Sequence, residues 1–280
     1  MWIWMALASA VLLGLYDVAK KTALKHNGTY WILFVSTALC SLMLLPFITA
    51  GTLPDHLRLM FKAVLVTTSW VSGMIALQLL PITTVSTFKA SRPVFVVLFS
   101  VLLFGERPSP MQWIGIAAVL IALWLLSLSS SREGLSFKGN KGFWAMAVSV
   151  LTGVASAMWD KHIMPGMQPL FVQSWTNIYI TLLLGAVILI RSLHGHKEKL
   201  RLHWTLPVIA VLITGADMLY FFALKQDGAM LSVISLVRRA SVIITFALGA
   251  LVFKERRIAQ KAGVLALMLA GLVLLVVFSI

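Results

Sequence analysis

One stretch of this sequence occurs twice. From Ala76-Leu77 the chain runs apolar through Arg92 to Phe104-Gly105-Glu106-Arg107; from Ala223-Leu224 it runs through Arg239 to Phe253-Lys254-Glu255-Arg256. In both copies the arginine follows the alanine by sixteen residues, the polar break reads Phe-x-Glu-Arg, and a Gly-containing apolar span comes next. A two-residue insertion between arginine and glutamate separates the copies. A period of about 140 residues is far too long for a solenoid unit and marks a duplicated half-protein. Duplicated halves in an apolar chain are a common plan of membrane transporters.

Hydrophobic residues make up 60% of the chain and charged residues 11%, against roughly 45–50% and 25% in soluble domains. Such a chain dissolves in lipid. Its formal charge of +14 would suit nucleic acid, but the basic residues fall mostly in short loops between apolar runs, a pattern of membrane topology; no nucleic-acid partner is expected. The single cysteine, Cys40, rules out an intrachain disulfide and reads as a small buried hydrophobe. The first span starts at Trp2 without a basic segment before it and carries Asp17, so it reads as a retained helix and not a removed signal peptide.

A spanning helix needs about 20 mostly apolar residues. That requirement predicts ten, at approximately 2–24, 30–50, 60–80, 83–104, 110–128, 142–164, 169–192, 204–225, 229–253 and 260–279. The expected fold class is an all-α integral membrane protein with ten transmembrane helices. Residues 1–130 and 142–280 form two five-helix repeats, and because five is odd the second enters the membrane from the opposite side, so the repeats are inverted. Loops after odd-numbered helices hold 14 basic residues and those on the other side 5. By the positive-inside rule both termini then face outward.

The repeat, the ten spans and the Gly-Glu-Arg break together resemble the drug/metabolite transporter superfamily, specifically its EamA-type ten-helix members. Ala76-Leu77, Pro93, Gly105-Glu106-Arg107 and Gly115 match the pattern in the first half, and Ala223-Leu224, Glu255-Arg256 and Gly263 in the second, where Ala240 stands in place of the expected proline. The resemblance implies alternating access between two inverted bundles. It also implies cytoplasmic termini, against the loop count, and the size of the charge asymmetry favours the loop count.

An ionisable group at mid-membrane marks a cavity, a partner or a pathway. Arg92 lies near the middle of the fourth span with Lys89 one turn before it, and Arg238 and Arg239 occupy the corresponding depth of the ninth. Asp217, in the eighth span, is the expected counter-ion for that pair. Arginine binds carboxylate or phosphate through paired hydrogen bonds, so Arg92, Arg239, Arg238 and Lys89, with Asp217, Asn177 and Tyr220, are the expected substrate-binding residues. Lys89 and Arg238-Arg239 also resemble, in placement alone, the phosphate-holding lysine and basic pair of plastid sugar-phosphate translocators. On the first and sixth spans, Asp17 with Lys20 and Lys21, and Asp160 with Lys161, repeat a carboxylate beside basic groups toward one end of each helix. They read as gating or coupling groups apart from the central site, against interfacial anchoring as the plainer reading.

Tyr16-Asp17 and Gly215-Ala216-Asp217 fall short of intramembrane aspartyl protease motifs, and no metal-hydrolase, nucleophile-elbow or phosphate-binding loop pattern occurs, so no enzyme, metal or cofactor is expected. The expected function is secondary-active transport, as exporter or exchanger, of a small anionic or zwitterionic metabolite; the alternative is a lipid-carrier flippase or membrane receptor on the same bundle. The expected partners are a small-molecule metabolite and membrane lipid, with monomer and homodimer both open. The expected location is the cytoplasmic (inner) membrane of a bacterium.

Overall fold

The computed structural model describes residues 2–92, 94–95, 98–99, 109–131, 139–163, 166–195, 200–201, 203–224, 237–238, 240–253 and 258–277, with the side chains of 126–131, 160–161, 169, 221, 224, 253 and 275–276 outside that description. Ten α-helices occur among these residues: α1 (Trp2–Ala23), α2 (Thr29–Leu44), α3 (Leu53–Leu79), α4 (Ile82–Ala90), α5 (Pro110–Ser131), α6 (Lys141–Ile163), α7 (Pro169–Leu193), α8 (Thr205–Leu224), α9 (Ser241–Phe253) and α10 (Ile258–Val277). Five described helical stretches are long and apolar enough to cross a bilayer: 2–23, 29–47, 53–79, 141–159 and 170–193. The fold is all-α and of the membrane-spanning kind, and large apolar side chains such as Trp4, Leu182, Leu189 and Leu251 stand exposed on its outside, where lipid would cover them.

Local chemistry sets the helix ends. Ser109 and Gln112 cap the start of α5 reciprocally, Ser109 N–H donating to Gln112 Oε1 at 2.7 Å and Gln112 N–H to Ser109 Oγ at 3.3 Å. Asn140 Oδ1 accepts from Gly142 N–H at 2.8 Å at the start of α6. The second and third predicted spans need correction. α2 ends at Leu44, where Pro46 turns the chain into a short 3₁₀ segment (Leu45–Phe47). α3 begins at Leu53, seven residues before the apolar run, because Thr52, Pro54 and Asp55 start a helix whose first turns are polar. Hydropathy cannot see polar helical turns.

The helices pack as a pseudo-twofold set. α1 crosses α8 as α3 crosses α6; α2 packs on α7, α4 on α9 and α5 on α10; α3 meets α7 as α2 meets α8. Exchanging helix n with helix n+5 returns the same pairs. One apolar core joins α1–α4 to α6–α8 around Ile32, Leu77, Met146 and Ile180. A second lies between α4, α5, α9 and α10 around Val119, Phe246 and Met268. Small residues permit the close crossings, as membrane interiors favour: a Cβ on Gly271 of α10 would sit 2.8 Å from the carbonyl oxygen of Gly115 on α5.

Two turns share one backbone pattern. Ser91 N–H donates to Phe88 O and Val94 N–H to Ser91 O; Ala240 N–H donates to Val237 O and Ile243 N–H to Ala240 O. These three-residue bonds mark corresponding places in the two halves. They align Lys89 with Arg238, so the sequence match of Arg92 to Arg239 gives way at the backbone to a register two residues along.

Candidate functional site

A cavity of about 400 Å³ opens where α1, α3, α4, α6, α8 and α9 converge, within the size range of small-ligand sites. Leu13, Met74, Leu77, Ile213 and Val242 supply apolar wall. Among the described residues its ionisable side chains are Lys20, Lys89, Arg92 and Arg238 against Asp17 and Asp217, four basic groups to two acidic.

Each carboxylate is taken. Asp17 Oδ1 accepts from Lys89 Nζ at 3.3 Å, and its Oδ2 from Thr245 Oγ1 at 3.5 Å. Asp217 accepts from Arg238 Nη2, while Arg238 Nε donates to Ser9 Oγ at 3.1 Å and its guanidinium lies 4.4 Å from the Tyr220 ring. The other two cations have no ion-pair partner among the described residues. Lys20, only 5% exposed, rests its ammonium 4.1 Å from the Tyr16 ring centre and 5.5 Å from that of Trp70. Aromatic faces attract a cation without neutralising it.

Arg92 is held by neutral groups. Its Nη2 donates to Ser69 Oγ at 3.1 Å, to Ser149 O at 3.1 Å and to Ser149 Oγ at 3.2 Å, whereas its buried Nε makes no hydrogen bond. The two serines lock α3 to α6 first: Ser69 Oγ donates to Ser149 O, and Ser149 Oγ to Ser69 O, both at 2.7 Å. Gly153, one turn on, leaves room for the guanidinium, since a Cβ there would meet Arg92 Cζ at 2.9 Å. The result is a positive site with dipoles behind it and cavity in front, an arrangement able to take an anion.

Residues 1–128 match the sequence model of the EamA-like transporter family. That match makes the N-terminal part of the chain similar to EamA-like transporters. Members of that family are transporters, consistent with the drug/metabolite transporter superfamily. No curated protein matches the sequence significantly. Among solved structures, one titled "Crystal structure of protein" aligns over 97% of this chain and 95% of its own, with a TM-score of 0.66 and 13% identity. So low an identity shows a shared fold and nothing about substrate.

The structure brings together Lys89, Arg92, Asp217, Tyr220 and Arg238 from the expected binding set and adds Asp17 and Lys20 from the expected gating set. Asp17 is therefore not apart from the central site, because the cavity reaches toward the C-terminal end of α1. Lys21 turns away from the cavity: its Nζ donates to Leu77 O, and to Leu80 O at 2.9 Å, closing the carbonyl end of α3 before Pro81. Asn177 is absent from the wall and uses its backbone carbonyl to accept from Thr181 Oγ1 at 2.9 Å. Arg239 and the side chains of Asp160 and Lys161 lie outside the described residues. Ser9, Ser69 and Ser149 were missed by sequence reasoning. Ser9 stands two turns before Asp17 on one helix face, a spacing that could have found it; nothing in the sequence singles out the other two.

Proposed function

We propose that this protein is a secondary-active transporter that moves a small anionic metabolite across the cytoplasmic membrane of a bacterium by alternating access. The single observation that carries the reading is the surplus of basic over acidic side chains among the described residues lining the cavity. Two basic side chains, Lys20 and Arg92, line it beyond those paired with Asp17 and Asp217, and an ionisable group in an apolar helical bundle marks a ligand site or pathway. Arg92 presents a planar donor fork suited to carboxylate or phosphate, and Lys20 adds a second positive centre. The paired charges, Lys89 with Asp17 and Arg238 with Asp217, tie α4 to α1 and α8 to the turn before α9. Such ties could break and re-form as the two bundles rock.

The test is exchange of labelled organic anions by proteoliposomes containing the purified chain. Saturable counterflow of an anion, lost in Arg92→Ala, is expected. Counterflow of organic cations, with anions inert, would overturn the reading.

A further inference from the structure

Two guanidinium groups of the cavity, Arg92 and Arg238, dock in the same way yet are answered differently. Ser149 Oγ donates to the carbonyl of Ser69 and Ser9 Oγ to that of Ala216, each at 2.7 Å. Residues 69 and 216 are themselves equivalent, each seven before the repeated Ala-Leu pair at 76 and 223. Arg92 Nη2 then donates to Ser149 Oγ at 3.2 Å and Arg238 Nε to Ser9 Oγ at 3.1 Å. Both arginines thus rest on the serine of an equivalent helix crossing. One residue along, the halves diverge: Asp217 answers Arg238, and the equivalent position holds Trp70. Three further on, Tyr220 stacks on Arg238, where the first half has Gly73.

From this asymmetry we propose that the transported ligand carries a carboxylate which occupies, at Arg92, the place that Asp217 occupies at Arg238. Asp217 is then an internal counterpart of the ligand, closing one half-site permanently and leaving the other to be closed by substrate. This rests on the anion-transport reading and narrows it to carboxylates, one per cavity. The lining favours it too, since a carboxylate at Arg92 leaves one further basic group, Lys20, to steer or hold a second polar group.

The test uses the full chain in detergent, with succinate and benzoate as carboxylate probes and inorganic phosphate as the tetrahedral comparison, read by thermal unfolding and calorimetry. Wild type is expected to be stabilised by a carboxylate probe and to bind one equivalent. Trp70→Asp supplies the missing carboxylate and should weaken that binding by about tenfold or more, and clearly more than Trp70→Asn, which removes the ring beside Lys20 without adding charge. Asp217→Asn should open the second half-site and raise the stoichiometry to two. Equal binding by Trp70→Asp and Trp70→Asn, or a single equivalent in Asp217→Asn, overturns the proposal; should both Trp70 variants fail to fold, the Asp217→Asn stoichiometry decides alone. Stabilisation by phosphate only overturns the carboxylate assignment and leaves anion transport standing. Stabilisation by none of the three overturns both.

Discussion

A guanidinium inside a membrane protein is costly unless something answers its charge. At Arg92 the hydrogen bonds among the described residues go to hydroxyl and carbonyl groups and not to a carboxylate, which leaves the guanidinium available to a ligand. Arg92→Ala should weaken anion binding by roughly 10- to 100-fold, and Arg92→Lys should recover only part of it, because an ammonium keeps the charge but loses the planar fork; calorimetry on the three proteins decides. Asp17→Asn makes an opposite prediction. It frees Lys89 from its partner, so anion affinity should rise while the melting temperature falls by an amount matching roughly 1–3 kcal/mol. An Asp17→Asn protein that binds anions more weakly would place the carboxylate in direct contact with substrate. The basic residues of the site were legible in the sequence, since buried charge in an apolar run is conspicuous. Their partners were not. Counting residues along α1 put Asp17 near a membrane face, yet Lys20, farther along the same helix, is almost fully buried, and only the packing of α3 and α4 against α1 shows that the cavity lies at that depth.

Among the elements, the crossing of α3 and α6 sets the position of the Arg92 guanidinium. Gly153→Ala would push a methyl group into it, so anion affinity should drop by about tenfold with the protein still folded, an overpacking effect of roughly 1–3 kcal/mol. Unchanged affinity would mean that Arg92 has other resting places. The ten helical segments were readable because an apolar run of bilayer length admits few alternatives, whereas the polar first turns of α3 were not, being helical by virtue of their cap. The register of the two cavity turns was also misread: the Arg92 and Arg239 match counts residues, but backbone bonds align Lys89 with Arg238. Interhelical hydrogen bonds such as those of Ser69 and Ser149 have no sequence period, because they depend on which helices cross and where.

At the level of the whole molecule, the most extensive helix pairings among the described residues are unchanged when the halves are exchanged, as expected of a duplicated chain. Inversion of the halves predicts that the α2–α3 loop and the α7–α8 loop lie on opposite sides of the membrane. In a Cys40→Ala background, Ala50→Cys should react with an impermeant maleimide from outside and His194→Cys from the cytoplasm, as the loop charge requires. Labelling of both from one side would contradict the inverted arrangement; labelling with the sides exchanged would keep inversion and turn the termini inward. The central claim, that the cavity receives an anion at Arg92, is tested most directly by the melting temperature of the purified protein titrated with organic anions and, separately, organic cations. A ligand that binds only the folded state raises that temperature with concentration. The account predicts a rise with at least one anion in wild type, no rise with it in Arg92→Ala, and none with cations; an equal rise in wild type and Arg92→Ala would contradict it.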